Sequence, residues 1–159
     1  MDYKKYLDDG IYEIKAGKYS DAIKNITQSL DLKNDWEIPY FYRAVAYQAQ
    51  EKYDLAMLDY TKAIQLNDKM TDAYYNRAQI TLTRKDIANP DIQKAVFDLE
   101  KALELDNKFI DALYAMAAAY KKLGEYTKAV EFLDKLLEIE PEAIQARALK
   151  KLLFQKYIK

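Results

Sequence analysis

The chain has no cysteine and no histidine. The first absence excludes disulfides, thiolate metal sites and a cysteine nucleophile. The second removes the commonest general base and the commonest metal ligand at neutral pH, which weighs against catalysis. Glycine and proline number only three each in 159 residues, too few for a turn-rich sheet, so helices are favoured. Charge of one sign is also missing: 25 Lys and Arg stand against 26 Asp and Glu. The field of the whole chain therefore favours neither nucleic acid nor an anionic membrane as a partner.

No apolar run reaches membrane length. Met1-Asp2-Tyr3-Lys4-Lys5 leads into an amphipathic segment broken by Asp8 and Asp9, so a cytoplasmic location is expected. A Gly-rich phosphate loop, an Asp-rich metal loop and zinc-ligand spacing are all lacking, and the expectation is no cofactor and no metal. Serine hydroxyls occur only at Ser20 and Ser29. Ser20 reads as a helix-start residue and Ser29 as a small packing residue. Carboxylate pairs such as Asp8 with Asp9, or Glu138 with Glu140, read as solvated faces, so no catalytic residue is assigned.

What is present is a repeat. Ala22, Ala56, Ala95 and Ala129 open the related runs AIKNITQSLDLKN, AMLDYTKAIQLND, AVFDLEKALELDN and AVEFLDKLLEIEP, spaced 34, 39 and 34 residues apart. Tyr19, Tyr53 and Tyr126 lie three residues before three of these alanines, and Gly17 and Gly124 stand two residues earlier still, marking the turn between two helices. The preceding segments also align: YLDDGIYEIK, YFYRAVAYQA, YYNRAQITLT and LYAMAAAYKK. Each carries a small residue at one place (Gly10, Ala44, Ala78, Ala117) and a bulky one four before it (Tyr6, Tyr40, Tyr74, Leu113). Small against small lets two helices approach, and the large side chains fill the space beside the contact.

On these residues the chain resembles the tetratricopeptide repeat family, whose helix-turn-helix unit carries this alternation of large and small. The fourth unit matches most fully, through Leu113, Met116, Ala117, Tyr120, Ala129, Leu133 and Pro141. The resemblance implies an all-α, right-handed superhelical solenoid forming a single domain over 1–159, with units at 3–36, 37–70, 71–109 and 110–143 and a capping helix over 144–159. The third unit is five residues long in excess, within Lys85-Asp86-Ile87-Ala88-Asn89-Pro90-Asp91, where Asn89 is expected to cap and Pro90 to open a helix. Glu13 and Thr81 depart from the family's usual aromatic, and Asn34, Asp68 and Asn107 from its closing proline. The last segment places Ile144, Ala148 and Leu152 at helical spacing, with Leu149 and Leu153 offset, and reads as a lid that ends the stack. Its five cations, Arg147, Lys150, Lys151, Lys156 and Lys159, are expected to face solvent.

In the family the first helix of each pair lines a concave groove. Mapping its inward positions gives Leu7, Ile11 and Ile14, then Phe41, Tyr42, Val45 and Gln48. The third unit contributes Tyr75, Asn76, Gln79 and Thr83, and the fourth Tyr114, Ala118, Lys121 and Lys122. Phe41, Tyr75 and Tyr114 are expected to be exposed in that groove, whereas Tyr6, Tyr40, Tyr74, Tyr47 and Tyr120 are assigned to packing. Such a stripe suits an extended peptide or an amphipathic helix with apolar anchors. The implied function is a non-catalytic scaffold or adaptor for a protein or peptide partner, with self-association as the alternative and neither nucleic acid nor membrane as partner. Relatives that hold acidic chaperone tails use a clamp of Lys, Asn and Arg. The matching places here include Leu7, Ile11, Asp111 and Ala115, and only Asn76 answers to an amide of that clamp, so binding of such tails is not expected.

Overall fold

The computed structural model describes residues 2–84 and 88–158. It falls into two compact bodies, Met1–Ile80 and Thr81–Lys159. The first contains α1 (Tyr3–Lys15), α2 (Tyr19–Leu32), α3 (Glu37–Ala49), α4 (Tyr53–Leu66) and most of α5 (Thr71–Thr83). The second contains α6 (Asn89–Leu105), α7 (Ile110–Lys122), α8 (Tyr126–Ile139) and α9 (Ile144–Lys156). No strand occurs among the described residues.

Within the first body α1 packs on α2, α2 on α3 and α3 on α4; within the second α6 packs on α7, α7 on α8 and α8 on α9. Small residues make these approaches possible. Ala22, Ala44, Ala56, Ala117 and Ala129 are fully buried, and a Cβ added to Gly10 would stand 2.5 Å from Ile26 Cγ1. Here α1 comes closer to its partner than any side chain larger than hydrogen permits.

Three helix pairs, α1 with α2, α3 with α4 and α7 with α8, turn through the same hydrogen-bonded motif. Lys18 N–H donates to the Glu13 carbonyl and Gly17 N–H to that of Ile14. Lys52 and Glu51 repeat the pattern onto Tyr47 and Gln48, and Glu125 and Gly124 repeat it onto Tyr120 and Lys121. The motif needs one residue with positive φ just past the helix. Gly17 (72°), Glu51 (58°) and Gly124 (77°) fill that place.

One local expectation is corrected. Asn89 is the first residue of α6 rather than its cap; Ala88 is the cap and makes no side-chain bond, while Pro90 sits in the first turn as its missing N–H allows. The rest of the insertion, 85–87, lies outside the described residues. Ser20 lies in the first turn of α2, which begins at Tyr19, and its hydroxyl accepts from Gln50 Nε2 at 2.8 Å.

The structure chooses between the two apolar stripes that the sequence places on α9. Its buried stripe is Ala146 and Leu153, with Leu149 alongside, and not Ile144, Ala148 and Leu152. Ile144 is 81% exposed and Leu152 41%. Two contacts fix this rotation: the Tyr157 ring stacks on Tyr126 at 4.2 Å, and Lys150 donates to Asp134 of α8. The segment carries two apolar stripes, and the sequence alone does not say which one α8 takes. Arg147, Lys151 and Lys156 do face solvent, but Lys150 is half-buried.

Candidate functional site

Glutamine, asparagine and tyrosine carry polar tips that must be satisfied when half-buried, and aromatic rings seek other rings. In the first body both demands meet at Tyr60. This residue comes from the second helix of its pair, α4, yet it is fully buried. Its hydroxyl donates to Gln48 Oε1 of α3 at 2.7 Å and is hydrogen-bonded by the Asn76 side chain of α5. The Phe41 ring lies 5.8 Å from that of Tyr60 and meets Tyr42 edge-on at 5.4 Å. Burial pushes the Tyr60 hydroxyl well above the ordinary phenol range, with the Asn76 hydrogen bond opposing. The phenol therefore stays neutral.

Further along α5, Gln79 Nε2 donates to the Tyr75 hydroxyl at 2.7 Å. The structure thus brings Phe41, Gln48 and Asn76 together around Tyr60, while Tyr42, edge-on to Phe41, packs against the Leu7, Ile26 and Leu30 core; all four are half-buried. Val45 packs against the core that contains Tyr60. In α1 the stripe is different. Leu7 is only 5% exposed and packs with Ile26 and Leu30, so it belongs to the core and not to a binding surface. Ile11 and Ile14 are half-buried on that cluster. Thr83 is exposed at the end of α5.

In the second body Tyr114 and Ala118 are half-buried, Tyr114 against the Leu113 and Leu133 core. Lys121 is half-buried and Lys122 exposed at the carboxy-terminal end of α7, where cations complement the helix dipole. Of the tyrosines assigned to packing, Tyr74 is buried and Tyr6, Tyr40, Tyr47 and Tyr120 are half-buried. Tyr120 stacks on Phe132 at 5.6 Å. Its hydroxyl is raised by burial and then by the carboxylate of Glu100.

Sequence reasoning missed Tyr60, although a signal existed. At the same place in the other units stand Ile26, Leu99 and Leu133, so a tyrosine there carries a hydroxyl that a buried apolar position must satisfy. It also missed a buried ion pair: Arg43 of α3 donates Nε to Asp59 Oδ2 at 2.7 Å and Nη2 to Oδ1 at 2.9 Å. Its Nη1 reaches Thr27 of α2 at 3.2 Å. The departure at Glu13 has an explanation as well, because Asn25 Nδ2 donates to both of its oxygens at 3.0 Å.

Residues 39–70 match the tetratricopeptide repeat family and residues 110–159 the Fis1 C-terminal tetratricopeptide repeat family. DnaJ homolog subfamily C member 3 of Homo sapiens is 31% identical over 148 residues, which are 87% of this chain and 29% of that protein. The chain thus spans less than a third of that relative. A crystal structure of MamA protein superposes with a TM-score of 0.87 at 22% identity, over 96% of this chain and 81% of that one, a likeness of fold. The first TPR of Spaghetti (RPAP3), bound to the HSP90 peptide SRMEEVD, superposes with a TM-score of 0.70 at 26% identity, over 76% of this chain and 92% of that one. With helices alone among the described residues, these likenesses make the fold an all-α helical solenoid.

Proposed function

The chain belongs to the tetratricopeptide repeat family, and from that premise we infer that it is a non-catalytic module which binds a segment of another protein along the leading helices of its pairs. The observation that carries this reading is the half-buried cluster of Phe41, Val45, Gln48 and Asn76 around Tyr60, with Tyr42 edge-on to Phe41. Rings and amides left partly open beside a rigid core offer flat apolar contact and fixed hydrogen-bonding groups to an extended peptide at little entropic loss. Tyr75 and Gln79 on α5 of the first body, and Tyr114, Ala118, Lys121 and Lys122 on α7 of the second, are each proposed as partner-contacting residues of their own body.

The hydroxyl inventory supports a non-catalytic role. Ser29 is fully buried and donates to the Tyr3 carbonyl at 2.7 Å, and Ser20 accepts from Gln50. Each hydroxyl is thus engaged in a hydrogen bond that ties one helix to another part of the fold. Among the described residues no helix is long and apolar enough to cross a membrane.

Acidic tails of the SRMEEVD kind are not proposed as ligands. The mapped clamp places hold buried Leu7 and Ala115, half-buried Ile11 and the acidic Asp111, none of which supplies a cation for a carboxylate. Two measurements test the reading. Calorimetric titration with SRMEEVD should give no saturable heat at micromolar concentration, and a micromolar complex would refute the tail exclusion. A displayed peptide library should be enriched by the intact chain and lose its ligands when Phe41, Tyr75 and Tyr114 are all replaced by Ala with helicity retained. Unchanged enrichment would move the site elsewhere.

A further inference from the structure

One polar contact recurs between successive helices at a fixed spacing. Arg43 donates to Thr27, Arg77 to Thr61 and Lys150 to Asp134, each pair 16 residues apart. The two arginines stand immediately before the small residues Ala44 and Ala78, and their acceptors stand five residues after the alanines Ala22 and Ala56. The set in phase with these in the second body is Met116, before Ala117, with Glu100, five after Ala95. Phe132 stands there where the anchor of Arg43, Asp59, stands in the first body: each follows its unit's alanine by three. The cation that spans the other gaps is therefore absent from this one, and a carboxylate occupies the acceptor's place.

The consequence is an open groove of about 580 Å³ between α6 and α8, floored by Leu103, Leu113, Met116 and Phe132. Glu100, Glu104 and Glu138 stand on its rim with Lys108 and Lys135. Glu104 is paired with Lys101, and Lys135 covers the Phe132 ring at 4.8 Å. Among the described residues Glu100 and Glu138 enter no ion pair. The floor is thus apolar, and beside it stand two carboxylates that make no ion pair among the described residues.

We propose that this groove receives α9 of a second copy of the chain. The segment 144–159 contains five cations and no acid, and α9 turns outward a second apolar stripe, Ile144, Ala148 and Leu152, one helical turn apart. Beside it stands Lys151, exposed and in no ion pair among the described residues, and Arg147, whose partner Glu142 is itself on the surface. Apolar anchors at i and i+4 next to an ammonium complement an apolar floor on whose mixed rim Glu100 and Glu138 stand in no ion pair among the described residues. The groove admits the ends of two or three side chains and not a whole helix, which fits anchors on one face. Donor and acceptor patches differ, so the contact is heterologous and grows head to tail unless a ring closes. It uses none of the residues proposed for peptide binding.

Sedimentation velocity of the full chain, from micromolar concentration upward, tests the proposal. The mass should rise with concentration, and more salt should weaken the rise. Replacing Met116→Arg with Phe132→Asp supplies the groove with its own pair, patterned on Arg43 and Asp59, and should weaken association by about tenfold or more. Ile144→Asp with Lys151→Glu, both at exposed places that leave the core intact, should do the same. Glu100→Lys alone should also weaken it, and mixing that variant with Lys151→Glu should restore heterologous association. A particle that remains monomeric at the highest concentration overturns the proposal. So does association that survives the Ile144 and Lys151 changes, or that is lost only when Phe41, Tyr75 and Tyr114 are replaced.

Discussion

The gap beside Arg43 and the gap beside Met116 are built on one frame and differ at several side chains, among them the three that make up the polar contact of the first. Both are bounded by a leading helix with a buried alanine, Ala44 or Ala117, and by a following helix with another, Ala56 or Ala129. In the first body Thr27, Arg43 and Asp59 close the surface with a bidentate ion pair. In the second Glu100, Met116 and Phe132 leave it open. The apolar frame decides that the helices pack, and a few polar residues laid over it decide which seams remain available to a partner.

The strongest way to break this comparison is to give the first body the residues of the second. Arg43 and Asp59 are 19% and 9% exposed at their side chains, so removing one member strands the other in a poorly solvated place. Arg43→Met alone, or Asp59→Phe alone, should lower stability by about 3 kcal/mol in denaturant unfolding. The double variant should lie within about 1 kcal/mol of the parent, because Met116 and Phe132 show that the frame tolerates the apolar pair. Losses that simply add would show that the two gaps are not equivalent.

The next difference lies one residue along α4. Tyr60 fills the place that Leu99 and Leu133 fill in the second body, but adds a hydroxyl held by Gln48 and Asn76. Tyr60→Phe keeps the ring and strands both amides, so it should cost about 1–2 kcal/mol. The phenol is raised above its ordinary value of 10.0, so the folded state keeps a proton that the unfolded state releases. The stabilisation is fully present below pH 10 and is lost as pH rises beyond it. The gap between parent and Tyr60→Phe should therefore shrink in alkaline melts, and a gap that widens would contradict the burial of that hydroxyl.

The helix pairs were legible because the alternation of small and large residues has to recur wherever two helices meet, and Gly10, Ala44 and Ala117 all lie buried at such contacts. The rotation of α9 was not legible, since Ala146 with Leu153 and Ile144 with Leu152 are equally periodic and only α8 chooses between them. At the candidate site the leading-helix residues Phe41, Gln48 and Asn76 were readable from the repeat, but Tyr60 reaches them from the other helix, which a one-helix stripe does not contain. Leu7 was misplaced for the opposite reason: Gly10 draws α1 so close to Ile26 that the neighbouring leucine is sealed into the core. The arginine ladder was visible in Arg43-Ala44 and Arg77-Ala78, and its gap at Met116 gained meaning only beside the open groove.

The smallest contrast is at the turns. Gly17 and Gly124 take the positive φ that the motif demands, whereas the first body's second turn places Glu51 there at 58°. A side chain in this region crowds the following carbonyl by about 1–2 kcal/mol, partly offset because glycine gives up more freedom on folding. Glu51→Gly should therefore raise stability by about 0.5–1 kcal/mol, and Gly124→Ala should lower it by about 1 kcal/mol although no atom lies near the added Cβ. The two changes should move thermal midpoints in opposite directions. A gain from Gly124→Ala would mean that the turn is shaped by something other than the backbone conformation that both bodies share.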